Sequence, residues 1–427
     1  MRNISNRSIF MRLKPWFMLI GSTSMAQALV QGLGLISGIL VIRILPPSEY
    51  ALYTLGNSML GAMVLLANGG ISKGVMAQGS KVWKNKNHLG EVMVTGLQLR
   101  KKFIFASLII GIPILFYLLL KNDASITSAV LIIIALIPAF TASISNALLV
   151  IVPQLHQNIR PLQINQIGVN LGRLLLLLGS ILFFPIAYVA LLSAGISQIV
   201  GNYRLKKIAL QHVNLKQKPS PAIRKKIIKT VSRIFPESVY YAFSSQITIW
   251  LLSIFGTTKA VAEIGALNRI AVLLTLFTMV FNILIAPRFA RLTESFQVLI
   301  KRYTLVVLIL LVVLLVVVSM TYWFSSQILW ILGADYENLN TEIVWLILGA
   351  TLSLIAGLIY NLYSGRGWIQ HPILAISISF ITLIVGITII DVSNLMGAIK
   401  LNILVGLVQF LSHMLYGYYK IFKLKNN

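Results

Sequence analysis

The chain has no cysteine, which excludes disulfide staples, thiolate metal sites and thiol nucleophiles together. Carboxylates are scarce: ten Asp and Glu stand against 36 Lys and Arg in 427 residues. Charged residues of both signs make up 11% of the chain, whereas a soluble domain carries about 25%. The five histidines, His88, His156, His212, His371 and His413, fall in different segments with no HExxH or paired spacing. Each reads as a loop or interfacial side chain rather than a metal ligand. No metal site, cofactor or catalytic residue is expected.

What fills the sequence is apolar: 57% of residues are hydrophobic and the mean hydropathy is +0.86. Residues 303–322 run twenty positions without a charge around VVLILLVVLLVVV, enough for a helix to cross about 30 Å of hydrocarbon. Similar windows lie at 16–42, 50–71, 103–120, 126–152, 164–184, 186–203, 238–255, 265–285, 303–323, 343–362, 372–390 and 396–418. The expected fold class is therefore all-α, a polytopic membrane protein of about twelve transmembrane helices. The first window follows Arg2, Arg7, Arg12 and Lys14 as a signal peptide would, but it is too long for an h-region, and it reads as an uncleaved first span.

Charge sets the expected orientation. With the N-terminus inside, thirty of the 36 Lys and Arg fall on inside segments, including seven between Lys73 and Lys102 and ten between Arg204 and Arg233. Glu49, Asp123, Glu263, Asp335, Glu337, Glu342 and Asp391 fall outside. The sequence thus predicts a cytoplasmic (inner) membrane protein with both termini cytoplasmic. The net charge of +26 is accounted for by that alternation, so nucleic acid is not an expected partner.

The basic connection 204–237, with Pro219-Ser220-Pro221, divides the chain into a bundle at 1–203 and a bundle at 238–427. Within it, 223–234 reads either as an amphipathic helix on anionic headgroups or as a solvated linker. A short repeat supports the division: Ser48-Glu49-Tyr50-Ala51-Leu52-Tyr53 and Ala262-Glu263-Ile264-Gly265-Ala266-Leu267 lie 214 positions apart, and each opens the second helix of its half. Two six-helix bundles related in this parallel way would face one another around a central cleft.

The run Arg43-Ile44-Leu45-Pro46-Pro47-Ser48-Glu49-Tyr50-Ala51-Leu52-Tyr53 resembles the R-x-L-x-P-x-x-[YF]-G-x-[YF] segment of Wzx-type polysaccharide-unit (O-antigen) flippases. These belong to the superfamily that also holds multidrug exporters and the lipid II flippase. Ala51 replaces the family's glycine. Gly69-Gly70-Ile71, Ala262-Glu263-Ile264-Gly265 and Leu332-Gly333-Ala334-Asp335-Tyr336 are also similar to that family, in the same order along the chain. The resemblance implies a flippase that moves a polyprenyl-diphosphate-linked oligosaccharide, a repeat unit of a surface polysaccharide such as lipopolysaccharide, by alternating access. Its partners would be that substrate, membrane lipids and other polysaccharide-assembly proteins.

Such a task needs cations and amides or hydroxyls facing water inside the membrane, because a charge facing hydrocarbon is costly. On the fifth span Gln163, Gln166, Asn170 and Arg173 follow at spacings of three, four and three and share one helical face. Arg173 reads as a substrate cation; the alternative is hydrogen bonding to carbonyls of a neighbouring helix. Arg43, Arg269 and Lys400 lie near span ends and would contact either substrate or headgroups. Asn268, Thr275, Thr278 and Asn282 form an expected cleft face on the eighth span, or interhelical hydrogen bonds. Gln27, Gln31 and Gly34, and Asn57, Gly61 and Asn68, form lesser stripes that suit close packing as well as a sugar-binding wall. A cation-coupled multidrug antiporter of the same superfamily is the alternative function. It usually needs a buried carboxylate, and no Asp or Glu lies well inside a span. A membrane enzyme of polysaccharide assembly is the second alternative, but the longest external connection, 324–342, offers only Asp335 and Glu337.

Overall fold

Apolar stretches that cannot leave backbone polar groups unpaired in lipid must close their hydrogen bonds internally, and among the described residues they do so as helices. The computed structural model describes residues 25–292, 295–368 and 370–425; among these there is no strand, and 86% of the structure is helical. The first half holds α1 (Met25–Ile44), α2 (Pro47–Asn68), α3 (Ile71–Val82), α4 (Lys86–Lys121), α5 (Ile126–Leu149), α6 (Ile151–Leu155), α7 (Ile159–Ile181) and α8 (Ala187–Leu210). Next come α9 (Pro221–Ser244), α10 (Ile247–Phe255), α11 (Thr258–Ala271), α12 (Thr275–Leu284) and α13 (Ala286–Ala290). The chain continues through α14 (Phe296–Trp323), α15 (Ser325–Leu332), α16 (Asn340–Ser364), α17 (Pro372–Ile389) and α18 (Leu395–Lys423).

Every span read from the sequence falls on one or more of these helices. Among the described residues nine helices are long and apolar enough to cross a membrane, and the α9–α10 pair, bent by 43°, makes ten. The sixth and eleventh expected spans are the helices α8 and α17; α8 ends in Arg204, Lys206 and Lys207, and α17 contributes the shorter apolar stretch Leu374–Ile389. The beginning of the first expected span, 16–24, and the four cations before it lie outside the described residues.

The described residues form two compact units. One comprises 25–44, Met59–Phe116 and Ile126–Ala242; the other comprises Leu45–Ser58, Tyr117–Ser125 and 243–425. In the first unit an apolar core gathers Ile71, Val75, Leu89, Met93, Leu148, Val152, Leu205 and Ala209 with Ile227 and Val231 of α9. The connection 204–237 is thus not a solvated linker: α9 presses one face into this core and leaves its lysines outside. Its close seat depends on the turn after α2, where Gly69 and Gly70 take left-handed φ values of 44° and 86°. A β-carbon on Gly70 would lie 3.0 Å from Ile234, and one on Gly74 3.0 Å from Ile227.

The second unit is built on α14, α16 and α18, with Tyr303, Leu310, Ile355, Ile359, Tyr363 and Phe410 at its centre. Lipid gives apolar helices no hydrophobic reason to associate, so close approach through small residues matters. At the α16–α18 crossing a β-carbon on Gly406 would meet Ser353 Oγ at 2.8 Å and the Gly349 carbonyl at 3.1 Å.

Candidate functional site

In the first unit α7 carries the polar face expected from its spacing. Gln163 is buried, while Gln166, Asn170 and Arg173 are half-buried. Gln27 of α1 donates from Nε2 to Gln166 Oε1 at 3.1 Å, and Asn170 donates from Nδ2 to the Gln166 carbonyl at 2.9 Å. Gly34 lies opposite Asn170, where a β-carbon would be 4.0 Å from Oδ1. The α1 and α7 amide stripes therefore meet, and Gln31 lies on the exposed side of α1. Behind this face α8 holds α7 in place: Ser197 Oγ donates to the Val169 carbonyl at 2.5 Å. Gln163 Nε2 and Asn165 Oδ1 are shielded from solvent with no hydrogen bond among the described residues, and such buried groups ordinarily find water or a ligand. A guanidinium and several amides on one span can bind a phosphate oxygen and sugar hydroxyls together. Arg43, on α1, is exposed.

In the second unit residues from or beside three of the segments that carried the family resemblance come together, while Gly69-Gly70-Ile71 lies in the first unit. Tyr50 and Tyr53 of α2 stack with centroids 5.9 Å apart, and Tyr336, beyond the left-handed Gly333, meets Tyr50 edge-on at 6.4 Å. Arg269 of α11 lies half-buried with its guanidinium 5.9 Å from the Tyr53 ring centre, a cation–π contact. Gly265 of the second repeat copy packs against Thr54, the residue that follows the first copy, so closely that a β-carbon would reach its Cγ2 at 2.7 Å. Arg269 is thus held by aromatic rings of α2 rather than extended to the helix end.

The remaining expected residues of this unit are dispersed. Asn268 is half-buried and Lys400 exposed. Asn57 is half-buried, with Nδ2 shielded and unbonded among the described residues. Asn282 is exposed and accepts from Asn361 Nδ2 of α16 at 3.3 Å. The stripe Asn268, Thr275, Thr278 and Asn282 runs across a 3-10 turn at Val272–Leu274 that separates α11 from α12. Three residues wound at three per turn instead of 3.6 advance the later positions about 60°, which leaves the four residues within about 60° of one another around the helix axis.

Four features were not legible as such. Arg100, counted with the loop cations, is 1% exposed inside α4. Its guanidinium donates to Asn68 Oδ1 and Ser72 Oγ at 2.8 Å each, and to the Ile144 carbonyl. Arg366 donates to the carbonyls of Phe289 and Leu292 at 3.1 and 3.0 Å, closing the end of α13. His156 and His212, 56 positions apart in sequence, stack at 4.2 Å; among the described residues no group of three or more His, Cys, Asp or Glu is placed to hold a metal ion. Glu263, 13% exposed, sits in the second turn of α11, 3.8 Å from Lys259, more buried than a carboxylate in an external connection would be.

No family model and no curated protein matches the sequence. Solved structures do match in shape. An inward-facing multidrug-resistance MATE-family transporter of the MOP superfamily superposes with a TM-score of 0.72 at 15% identity, over 93% of this chain and 96% of that one. An outward-facing MATE-family transporter gives 0.54 at 17% identity, over 95% and 94%. A MOP-superfamily transporter from Pyrococcus furiosus, described by a binding pocket of reverse polarity that suggests a different function, gives 0.58 at 17%, over 94% of each chain. The chain therefore has the twelve-helix fold of these transporters over nearly its whole length.

Proposed function

We propose that the protein is an alternating-access transporter that moves a polyprenyl-diphosphate-linked oligosaccharide across the cytoplasmic membrane, with both termini in the cytoplasm. The observation that carries this reading is the α7 face of the first unit, where Arg173 stands half-buried in mid-span beside Gln166 and Asn170. Ionised groups at that depth mark substrate paths more often than packing. A diphosphate is the anion for which a guanidinium fork is suited, and amides alongside suit sugar hydroxyls. The resemblance of 43–53, 69–71, 262–265 and 332–336 to polysaccharide-unit flippases supplies the substrate class, and the shared transporter fold supports the transport mode.

Arg173→Ala is expected to lower surface-polysaccharide export about 10- to 100-fold, the worth of one charge-assisted hydrogen-bond pair, while membrane insertion measured by protein level stays normal. Arg173→Lys should retain part of the export, because charge survives without the fork. Unchanged export in Arg173→Ala would remove this residue from substrate handling.

A second reading, a cation-coupled multidrug antiporter, is favoured by Glu263 and by the multidrug transporters that share the fold. In that reading Glu263 would exchange the coupling ion, and Glu263→Gln would abolish transport. The flippase reading expects that variant to keep most of its activity.

A further inference from the structure

A second basic site lies in the first unit, away from Arg173. A recess of about 380 Å³ between α3 and α9 is lined by Gln78 and Lys81 from α3 and by Lys226, Lys229, Thr230 and Arg233 from α9. The α9 residues recur at intervals of three, one and three, so their side chains rise from one face, roughly a third of a turn from the Ile227 and Val231 face buried in the core. Glycines set the spacing of the two helices, since a β-carbon on Gly70 or Gly74 would lie 3.0 Å from Ile234 or Ile227. The cations are thus mounted on a braced scaffold rather than on a mobile loop.

No carboxylate lines the recess, and none of the four cations takes part in an ion pair among the described residues. Like charges one turn apart disfavour the helix that bears them, and Lys226, Lys229 and Arg233 are such a series. The Thr230 hydroxyl, whose described hydrogen bond is a 3.4 Å contact to the Lys226 carbonyl, and the Gln78 amide add neutral donors between them. The recess is at the small end of ligand-pocket volumes, and its chemistry suits a compact polyanion.

We infer that this recess binds a phosphate-bearing group, Lys81, Lys226, Lys229 and Arg233 neutralising its charge while Thr230 and Gln78 orient it. Two sources share that chemistry, the headgroup of an anionic phospholipid and a soluble phosphate compound. The inference does not rest on the flippase reading, because its readout is binding rather than export.

The test uses the full chain in a neutral detergent. Binding of inorganic diphosphate is measured by calorimetry, and retention of phosphatidylglycerol over phosphatidylcholine by native mass spectrometry. Lys226→Gln with Lys229→Gln should weaken the bound ligand about 25-fold, at about fivefold per cation. The charge-matched pair Arg224→Gln with Lys225→Gln, both exposed and outside the recess, should change it less than about twofold, the level of a diffuse, screened surface charge. Loss of diphosphate binding alone identifies a soluble ligand, and loss of phosphatidylglycerol retention alone a lipid headgroup; either supports the site. Equal weakening by both pairs, or no binding of either probe to the unaltered protein, overturns it.

Discussion

At the residue scale, the most informative group is the buried Arg100. A guanidinium 1% exposed must spread its charge over acceptors, and it does so on Asn68, Ser72 and the Ile144 carbonyl. Asn68 in turn accepts from Ser72 Oγ at 2.7 Å and from the Ser72 backbone N–H at 3.3 Å, so one amide oxygen serves three donors. Asn68→Ala is therefore expected to lower stability by about 1–3 kcal/mol, the cost of leaving a charged donor short of an acceptor. The unfolding midpoint in detergent checks this, and Asn68→Asp, which keeps the acceptor, should be the milder change. Hydropathy reading cannot find such a residue. It treats each Lys or Arg at a span edge as loop, and only the tertiary approach of α2, α4 and α5 distinguishes Arg100 from its exposed neighbours Lys101 and Lys102. The α7 stripe was legible because its spacing lies within one unbroken helix.

At the element scale, breaks decide what periodicity can reach. Each expected span is found on helices as far as the described residues reach, but the 3-10 turn at Val272–Leu274 and the 43° bend between α9 and α10 are breaks that an ideal helix period does not foresee. The Gly69-Gly70 turn is the opposite case, a short motif whose physical reason becomes visible only in the fold. Gly70 combines a left-handed φ of 86° with a seat where a β-carbon would lie 3.0 Å from Ile234. Gly70→Ala should cost at least about 1–2 kcal/mol from the backbone term alone. Because the clash is with α9, hydrogen exchange should rise in 221–237 more than in α7; uniform change across the first unit would contradict this account of the turn. The basic segment 204–237 was read as linker or surface helix because its charge is plain in sequence, whereas the pairing of Ile227 and Val231 with α3 is a long-range contact.

At the scale of the whole molecule, composition and span count led to the fold, since an all-helical, mainly apolar chain has few alternatives in lipid. What it does is a matter of a few side chains. The charge pattern of the described spans is cationic, with Arg173 on α7 and Arg269 against Tyr53, and Glu263, 13% exposed, is the carboxylate whose role would separate a flippase from an ion-coupled exporter. The direct test is reconstitution in vesicles that carry a fluorescent polyprenyl-diphosphate oligosaccharide in one leaflet, with a cationic dye and a proton or sodium gradient in parallel. The account predicts that the unaltered protein and Glu263→Gln move the lipid-linked sugar, that Arg173→Ala moves it about 10- to 100-fold more slowly, and that none of the three exports dye. Dye export driven by the gradient and abolished in Glu263→Gln, with no movement of the lipid-linked sugar, would contradict it.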